Sequence, residues 1–449
     1  MASEGKKKET HVLMVAFAAH GHMNPMLRLG KRLLSKGINV TFAVNEDCRR
    51  DLIVNSQAVA GIHLEFYSDG LSLDADRKTS MDLFMESIGK YGPVNLTALI
   101  QTIGVEKFSC IINNPFVPWV ADVAAKLEIP CAMLWIQPCM LYAIYYRFYN
   151  NLNLFPTSTN PNMSVELPGF PLLSSEDLPS FILPSNTSGA FPKLLAELFQ
   201  NMNKIKWVLG NSFYELEKDV IDSMQNVHPI RPVGPLVPST LLLGENDQNL
   251  HKDKCIEWLD QQKNSSVIYI SFGTIIEFST KEMEVVAKCL KKTKLKFLWV
   301  VKKGEELLPL GFPEEIKDQG LIVKWSPQVE VLGHPSVACF LTHCGWNSLI
   351  ETITAGVPVI AYPKWTDQPT NAKLIDILHV GVRLRSGQDG ELSGEELEKC
   401  IEEIMVGPSS EEYKKNAAEL KQEAREAMAG GGSSDRNIQW FVDEIKGYS

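Results

Sequence analysis

Two stretches in which strand and helix patterns alternate, parted by a proline-rich break, constrain this chain more than any other feature. The first opens with HVLMVAFA (11–18), an apolar run of strand length. The loop AHGHMN follows, then MLRLGKRLLSKG (26–37). There Met26, Leu27, Leu29, Leu33 and Leu34 recur at helical spacing, Gly37 stops the run, and Pro25 suits the first helical position. INVTFAV (38–44) reads as the next strand. Strand, helix, strand in this order predicts a parallel βαβ unit. FSCIINNPF, WVADVAAKLEI and PCAMLWI continue the alternation, and SSVIYISFGT (265–274) opens a second α/β unit. Between them PIRPVGPLVPST and LGENDQNLHKDK, about 229–254, read as the linker. At 449 residues the chain is longer than one hydrophobic core usually supports. The expected fold class is α/β, with two Rossmann-like parallel-sheet domains over 1–235 and 236–428. Two charged helices, about 394–406 and 410–428, a flexible AGGGSSD and a last helix, RNIQWFVDEIKG, close the chain.

Composition narrows the function by exclusion. A net charge of −10 argues against nucleic acid as a partner. No stretch of about 20 apolar residues is present to span a membrane. The apolar run at 12–19 carries no cleavable signal pattern. Nine cysteines without a CxxC pair read as reduced thiols of a cytoplasmic protein. The glycine fingerprint of a dinucleotide site is missing after the first strand, which speaks against a nicotinamide oxidoreductase. Aromatic residues crowd 134–149, either as core or as an apolar substrate wall.

THCGWNS (342–348) carries the chemistry. An apolar strand, SVACFL, leads into it and SLIETITAG leads out as a helix, with Ser348 as N-cap and Glu351 completing a capping box. Ligands of open α/β sheets bind at the carboxyl ends of strands, where this loop falls. A helix N-terminus suits phosphate. His343 can carry positive charge beside it, and Asn347 and Ser348 add polar groups.

WSPQVEVLGHPSVACFLTHCGWNSLIETITAGVPVIAYPKWTDQ (325–368), 44 residues, resembles the donor-binding signature of plant UDP-sugar-dependent glycosyltransferases of small molecules. GHMNP near the start, SFGT (271–274) and GGSSDRN near the end are similar to the same family. The resemblance implies a GT-B fold, two Rossmann-like domains facing across a cleft, with the helix in 429–449 packing back on the first. NNPFVPWVADVA and LWIQPC resemble the branch that makes glucose esters of aromatic and indolic acids, which has relatives that glucosylate phenols on oxygen or ring carbon.

By that resemblance Trp325 stacks on uracil and the Ser326 backbone meets its edge. Gln328 and Glu351 hold the ribose, and Thr274, His343, Asn347 and Ser348 hold the diphosphate. Trp346, Asp367 and Gln368 line the sugar. The GHxNP pattern selects His22 as general base, with inversion at the anomeric carbon. His20 stands where relatives usually have Gln, as a solvated loop residue or an acceptor contact. Phe116, Trp119, Met133, Trp135, Gln137 and Tyr142 are wall candidates of the acceptor site. One position departs from the family pattern: Asn114 stands where most relatives have the Asp that orients the His. An amide cannot balance an imidazolium, so the His22 pKa falls and the base weakens. A carboxylic acid, already ionised at neutral pH, needs little base. The expected function is therefore transfer from UDP-glucose to a small aromatic acceptor, an acid or a phenol, by a monomer without prosthetic group or metal. C-glucosylation of polyphenols is the alternative, and a non-catalytic UDP-sugar binder is a remote one.

Overall fold

The computed structural model describes residues 9–54, 59–77, 80–186, 189–243, 253–273, 278–385, 387 and 391–448. The first unit holds a seven-stranded sheet: β1 (His11–Val15), β2 (Asn39–Asn45), β3 (His63–Tyr67), β4 (Cys110–Asn113), β5 (Cys131–Trp135), β6 (Trp207–Gly210) and β7 (Ile230–Pro232). Their spatial order is β3-β2-β1-β4-β5-β6-β7, every pairing parallel. The second unit holds β8 (Val267–Ser271), β9 (Lys296–Val300), β10 (Gly320–Val323), β11 (Val337–Thr342), β12 (Val359–Ala361) and β13 (Gly381–Arg383) in the order β10-β9-β8-β11-β12-β13, again all parallel. Each sheet thus runs outward in both directions from its first strand, the order of a Rossmann fold. Strands this apolar follow from helices covering both faces.

Packing divides the chain into Met1–Leu173, Phe181–Leu236 and Ala427–Ser449 on one side, and Ser174–Ser180 with Val237–Glu426 on the other. A segment that lies inside the first sequence half, Ser174–Ser180, therefore clusters with the second unit. The final helix, Ser433–Lys446, belongs to the first: Ile438, Phe441, Val442 and Ile445 join Val12, Met14 and Ile112 in one core. The second core gathers Ile268, Ile270, Trp299, Leu341 and Ile360 from its own sheet.

Three local expectations are corrected. The first helix runs His20–Ser35, so Pro25 lies inside it, one turn in, where a proline forfeits a single helical bond. The proline-rich break begins as the edge strand β7, a place where a sheet tolerates Pro; residues 244–252 of it lie outside the described residues. Within AGGGSSD the serines are already helical, because Ser433 and Ser434 are buried and bonded to Glu215 and to the Gly234 carbonyl.

Candidate active site

Strand order decides where each unit can bind a ligand. In the first sheet the winding reverses between β1 and β4, whose carboxyl ends meet at the pair Val15 and Asn113. Loops leaving two such strands diverge and open a crevice. The helix after β1 delivers His22 there, and the residue after β4 is Asn114. His22 Nδ1 lies 2.9 Å from Asn114 Oδ1. The same oxygen accepts the Phe116 N–H at 3.0 Å. An oxygen already serving as acceptor fixes the tautomer: Nδ1 carries the proton and donates, leaving the Nε2 lone pair as the available base. Phe17 and Phe116 pack edge-on to the ring, at centroid distances of 5.1 and 4.3 Å. Burial among these rings lowers the His22 pKa to about 4, and the bond to Asn114 only partly opposes this. The imidazole is neutral across the physiological range.

Phe116 also borders a cavity of about 590 Å³, the size of a small-molecule site. Trp119, Met85, Ile88, Pro118 and Leu194 supply apolar lining, and Asp82, Glu86, Glu197 and Lys193 supply charge. Helices Met81–Ile103 and Ala190–Gln200 carry most of these side chains. Phe116 and Trp119 thus stand at the cavity. Met133, Trp135 and Tyr142 do not: all three are fully buried, the Trp135 indole N–H donates to the Pro138 carbonyl at 2.9 Å and the Tyr142 hydroxyl lies 2.7 Å from His228 Nδ1. They are core, the first of the two readings open for the aromatic stretch. Gln137 is half-buried and off the cavity lining, and His20 is exposed at the first helical residue.

The second sheet reverses between β8 and β11, whose carboxyl ends meet at Ser271 and Thr342. His343 follows directly. Gly273 and Gly345 enclose its ring so closely that a Cβ on either would come within 2.6 or 2.5 Å of it. Gly273 has φ +72°, a conformation that glycine adopts without strain. Thr274 lies outside the described residues. Burial, aided by the nearby Lys302 ammonium, lowers the His343 pKa to about 4. The His343 ring is therefore neutral near pH 7. Lys302, just past β9, is the charged group that acts on it.

The helix after this loop runs Trp346–Ala355, with Gly345 as N-cap and no side chain capping it. Ser348 is thus the third helical residue, and no capping box forms. The cause is Cys344, held at φ +66° with its carbonyl fixed by Asn371 Nδ2 at 2.8 Å, which turns the chain early. Glu351 is thereby released from capping; its Oε2 accepts from Gln328 Nε2 at 3.0 Å, and Gln328 also reaches Ser348 Oγ at 3.1 Å. Tyr269, unforeseen from sequence, bonds Ser326 Oγ at 2.9 Å and Gln328 Oε1 at 3.4 Å. Trp325, next to this group, is 67% exposed, unlike the fully buried Trp299. Asn347 is half-buried, and the Trp346 indole is buried. Asp367 and Gln368 are nearly buried at the start of the helix Gln368–Ile377. Gln368 Oε1 accepts the backbone N–H groups of Lys364 and Trp365 at 2.9 and 3.2 Å, so Nε2 is what it can offer a hydroxyl. Asp367 accepts from Thr366 Oγ1 at 2.7 Å and from Asn371 Nδ2 at 2.8 Å.

Comparisons with known proteins identify the family. The family described as UDP-glucoronosyl and UDP-glucosyl transferase matches residues 94–426. UDP-glycosyltransferase 84B1 of Arabidopsis thaliana is 45% identical over 99% of both chains. Gallate 1-beta-glucosyltransferase 84A24 of Punica granatum is 41% identical over 98% of this chain and 90% of its own length. The crystal structure of Os79 from O. sativa, in complex with U2F and trichothecene, superposes with a TM-score of 0.86 at 32% identity, covering 97% of this chain and all of that one. On this evidence the chain belongs to the UDP-glucoronosyl and UDP-glucosyl transferase family, and it is a UDP-sugar-dependent glycosyltransferase with the GT-B class of fold.

Proposed function

We propose that the enzyme moves glucose from UDP-glucose to a small aromatic carboxylic acid, forming a glucose ester. The observation that carries this is the pairing of His22 with an amide rather than a carboxylate. A neutral His22 whose protonated form is disfavoured is a weak base. An acceptor that arrives ionised does not depend on it. The likeness to a gallate 1-beta-glucosyltransferase supports the same choice. In this reading Trp325 stacks on uracil, a contact worth about 1–3 kcal/mol for a base. Gln328 and Glu351 hold the ribose; His343, Asn347, Ser348, Thr274 and the helix start at Trp346 hold the diphosphate; Asp367 and Gln368 hold the sugar. The acceptor oxygen attacks the anomeric carbon, UDP departs, and the configuration inverts. Where the acceptor is a hydroxyl, His22 Nε2 takes its proton.

A second reading has its own support. Asp82, Glu86 and Glu197 outnumber Lys193 around the cavity and suit hydroxyl donors better than anions. Phenols, or acidic polyphenols reacting at a ring carbon, fit that rim. Incubation with UDP-glucose and a panel of aromatic acids, indole-3-acetate, flavonoids and acylphloroglucinols separates the readings. An alkali-labile product is the ester expected here. An alkali-stable product cut by glucosidase is a phenolic glucoside, and one resistant to both is a C-glucoside; either overturns the ester.

A further inference from the structure

The sugar-facing turn is held by a segment from far upstream. Thr366, the residue before Asp367, has φ +61°, left-handed for a β-branched side chain. Such a residue persists only where its surroundings over-determine it, and such strain clusters at functional sites. Here the surroundings are Ser180. The Ser180 N–H donates to the Thr366 carbonyl at 2.8 Å, and the Thr366 N–H donates to Ser180 Oγ at 2.8 Å. Both backbone groups of the strained residue are thereby tied to one serine. Ser180 is itself delivered by a docked turn. Asp177, nearly buried, pairs with Arg383 at 2.7 Å and faces Lys373 at 3.6 Å. Its carbonyl accepts from Thr370 Oγ1 at 2.7 Å, and the Glu176 carbonyl accepts from Arg383 Nη2 at 2.8 Å. Ser174 closes the turn on Asp177 Oδ2 through its N–H, at 2.9 Å, and its hydroxyl.

We propose that Ser180 is a positioning residue for the donor sugar, fixing the turn that aims Asp367 and Gln368 at the hexose hydroxyls. This rests on the reading of Asp367 and Gln368 as sugar contacts. Misplacing such groups by a fraction of an ångström is felt in turnover rather than in nucleotide affinity.

The test compares Ser180→Ala, Ser180→Cys and Ser180→Thr with Asp367→Asn and Gln368→Ala. Each is assayed for kcat and KM with UDP-glucose, for the ratio of UDP-glucose to UDP-galactose use, and for UDP affinity by calorimetry. Ser180→Ala removes one of the two bonds and is expected to lower kcat/KM for UDP-glucose about tenfold and narrow the sugar ratio, with UDP affinity unchanged. Ser180→Thr keeps the hydroxyl and restores most of the loss; Ser180→Cys, a weaker acceptor of the same size, falls between and serves if the alanine variant folds poorly. If Ser180→Ala keeps wild-type kcat/KM while Gln368→Ala and Asp367→Asn lose it, the positioning role is wrong. Loss of UDP affinity in Ser180→Ala also overturns it, as general damage to the unit. If Gln368→Ala and Asp367→Asn leave UDP-glucose use unchanged, the sugar-contact reading is what fails.

Discussion

In the proposed reading, Asn114 is the residue on which the chemistry of this site turns. Its Oδ1 holds His22 Nδ1 and the Phe116 N–H together, so the ring is aimed as a carboxylate would aim it. What the amide lacks is charge. With the His22 pKa lowered to about 4, protonation competes with base function only below about pH 5 in the free enzyme. Asn114→Asp would place an anion against Nδ1, favour the imidazolium and raise that pKa by about 1–3 units. The acid limb of kcat/KM for phenols should move upward by the same amount, and phenol turnover should rise relative to that of carboxylic acids. Profiles of kcat/KM against pH for one acceptor of each class check this. An unmoved limb would show that Asn114 does not set the basicity of His22.

At the scale of elements, the helix Cys139–Tyr149 shows where sequence reading stops. Strand–helix alternation was legible because apolar periodicity of 2 or 3.6 is local. The loop after β11 was legible as a candidate site because its polar residues sit in a few fixed positions after an apolar strand. The aromatic run at 134–149 was not, since a core and a substrate wall have the same composition. What separates them is non-local: Tyr142 meets His228, and Phe199 stacks on Tyr149 at 5.5 Å. The docking of Ser180 on Thr366, 186 residues apart, is equally invisible to any window of sequence. The start of helix Trp346–Ala355 is hidden from sequence for a related reason, because Asn371 bonds the Cys344 carbonyl at the turn. The distinction between core and wall predicts contrasting variants. Tyr142→Phe strands His228 Nδ1 and should destabilise by about 1–3 kcal/mol with acceptor KM unchanged. Phe116→Ala opens the cavity beside His22 and should lower acceptor kcat/KM by about tenfold or more, with UDP affinity intact. Thermal unfolding and acceptor kinetics on both distinguish the effects; a changed acceptor KM in Tyr142→Phe would return that residue to the wall.

For the whole molecule, the chain's end is a structural member of its beginning. Helix Ser433–Lys446 sets Ile438, Phe441, Val442 and Ile445, each at most 1% exposed, into the core that β1 and β4 also line, with Phe441 against Trp207 of β6. Around that seam Asn437 Nδ2 donates to the Pro232 carbonyl at 2.8 Å, Ser434 Oγ to the Gly234 carbonyl at 2.5 Å, and the Arg231 guanidinium lies 3.9 Å over the Trp440 ring. Burying four such side chains contributes roughly 6–12 kcal/mol, an upper estimate because unfolded chains are already partly collapsed. That is comparable to the whole stability of a typical domain. The second core draws on no residue beyond Tyr413 among those described. Removing 433–449 should therefore unfold the first unit and leave the second, with the proposed nucleotide site, folded. The expected outcome is loss of all transfer activity, fast amide exchange in β1 and β4, slow exchange in β8 and β11, and UDP affinity within a fewfold of the full chain. Protected β1 amides in the truncated protein would mean that the first core closes without its last helix; lost UDP affinity would mean that the second unit does not fold alone.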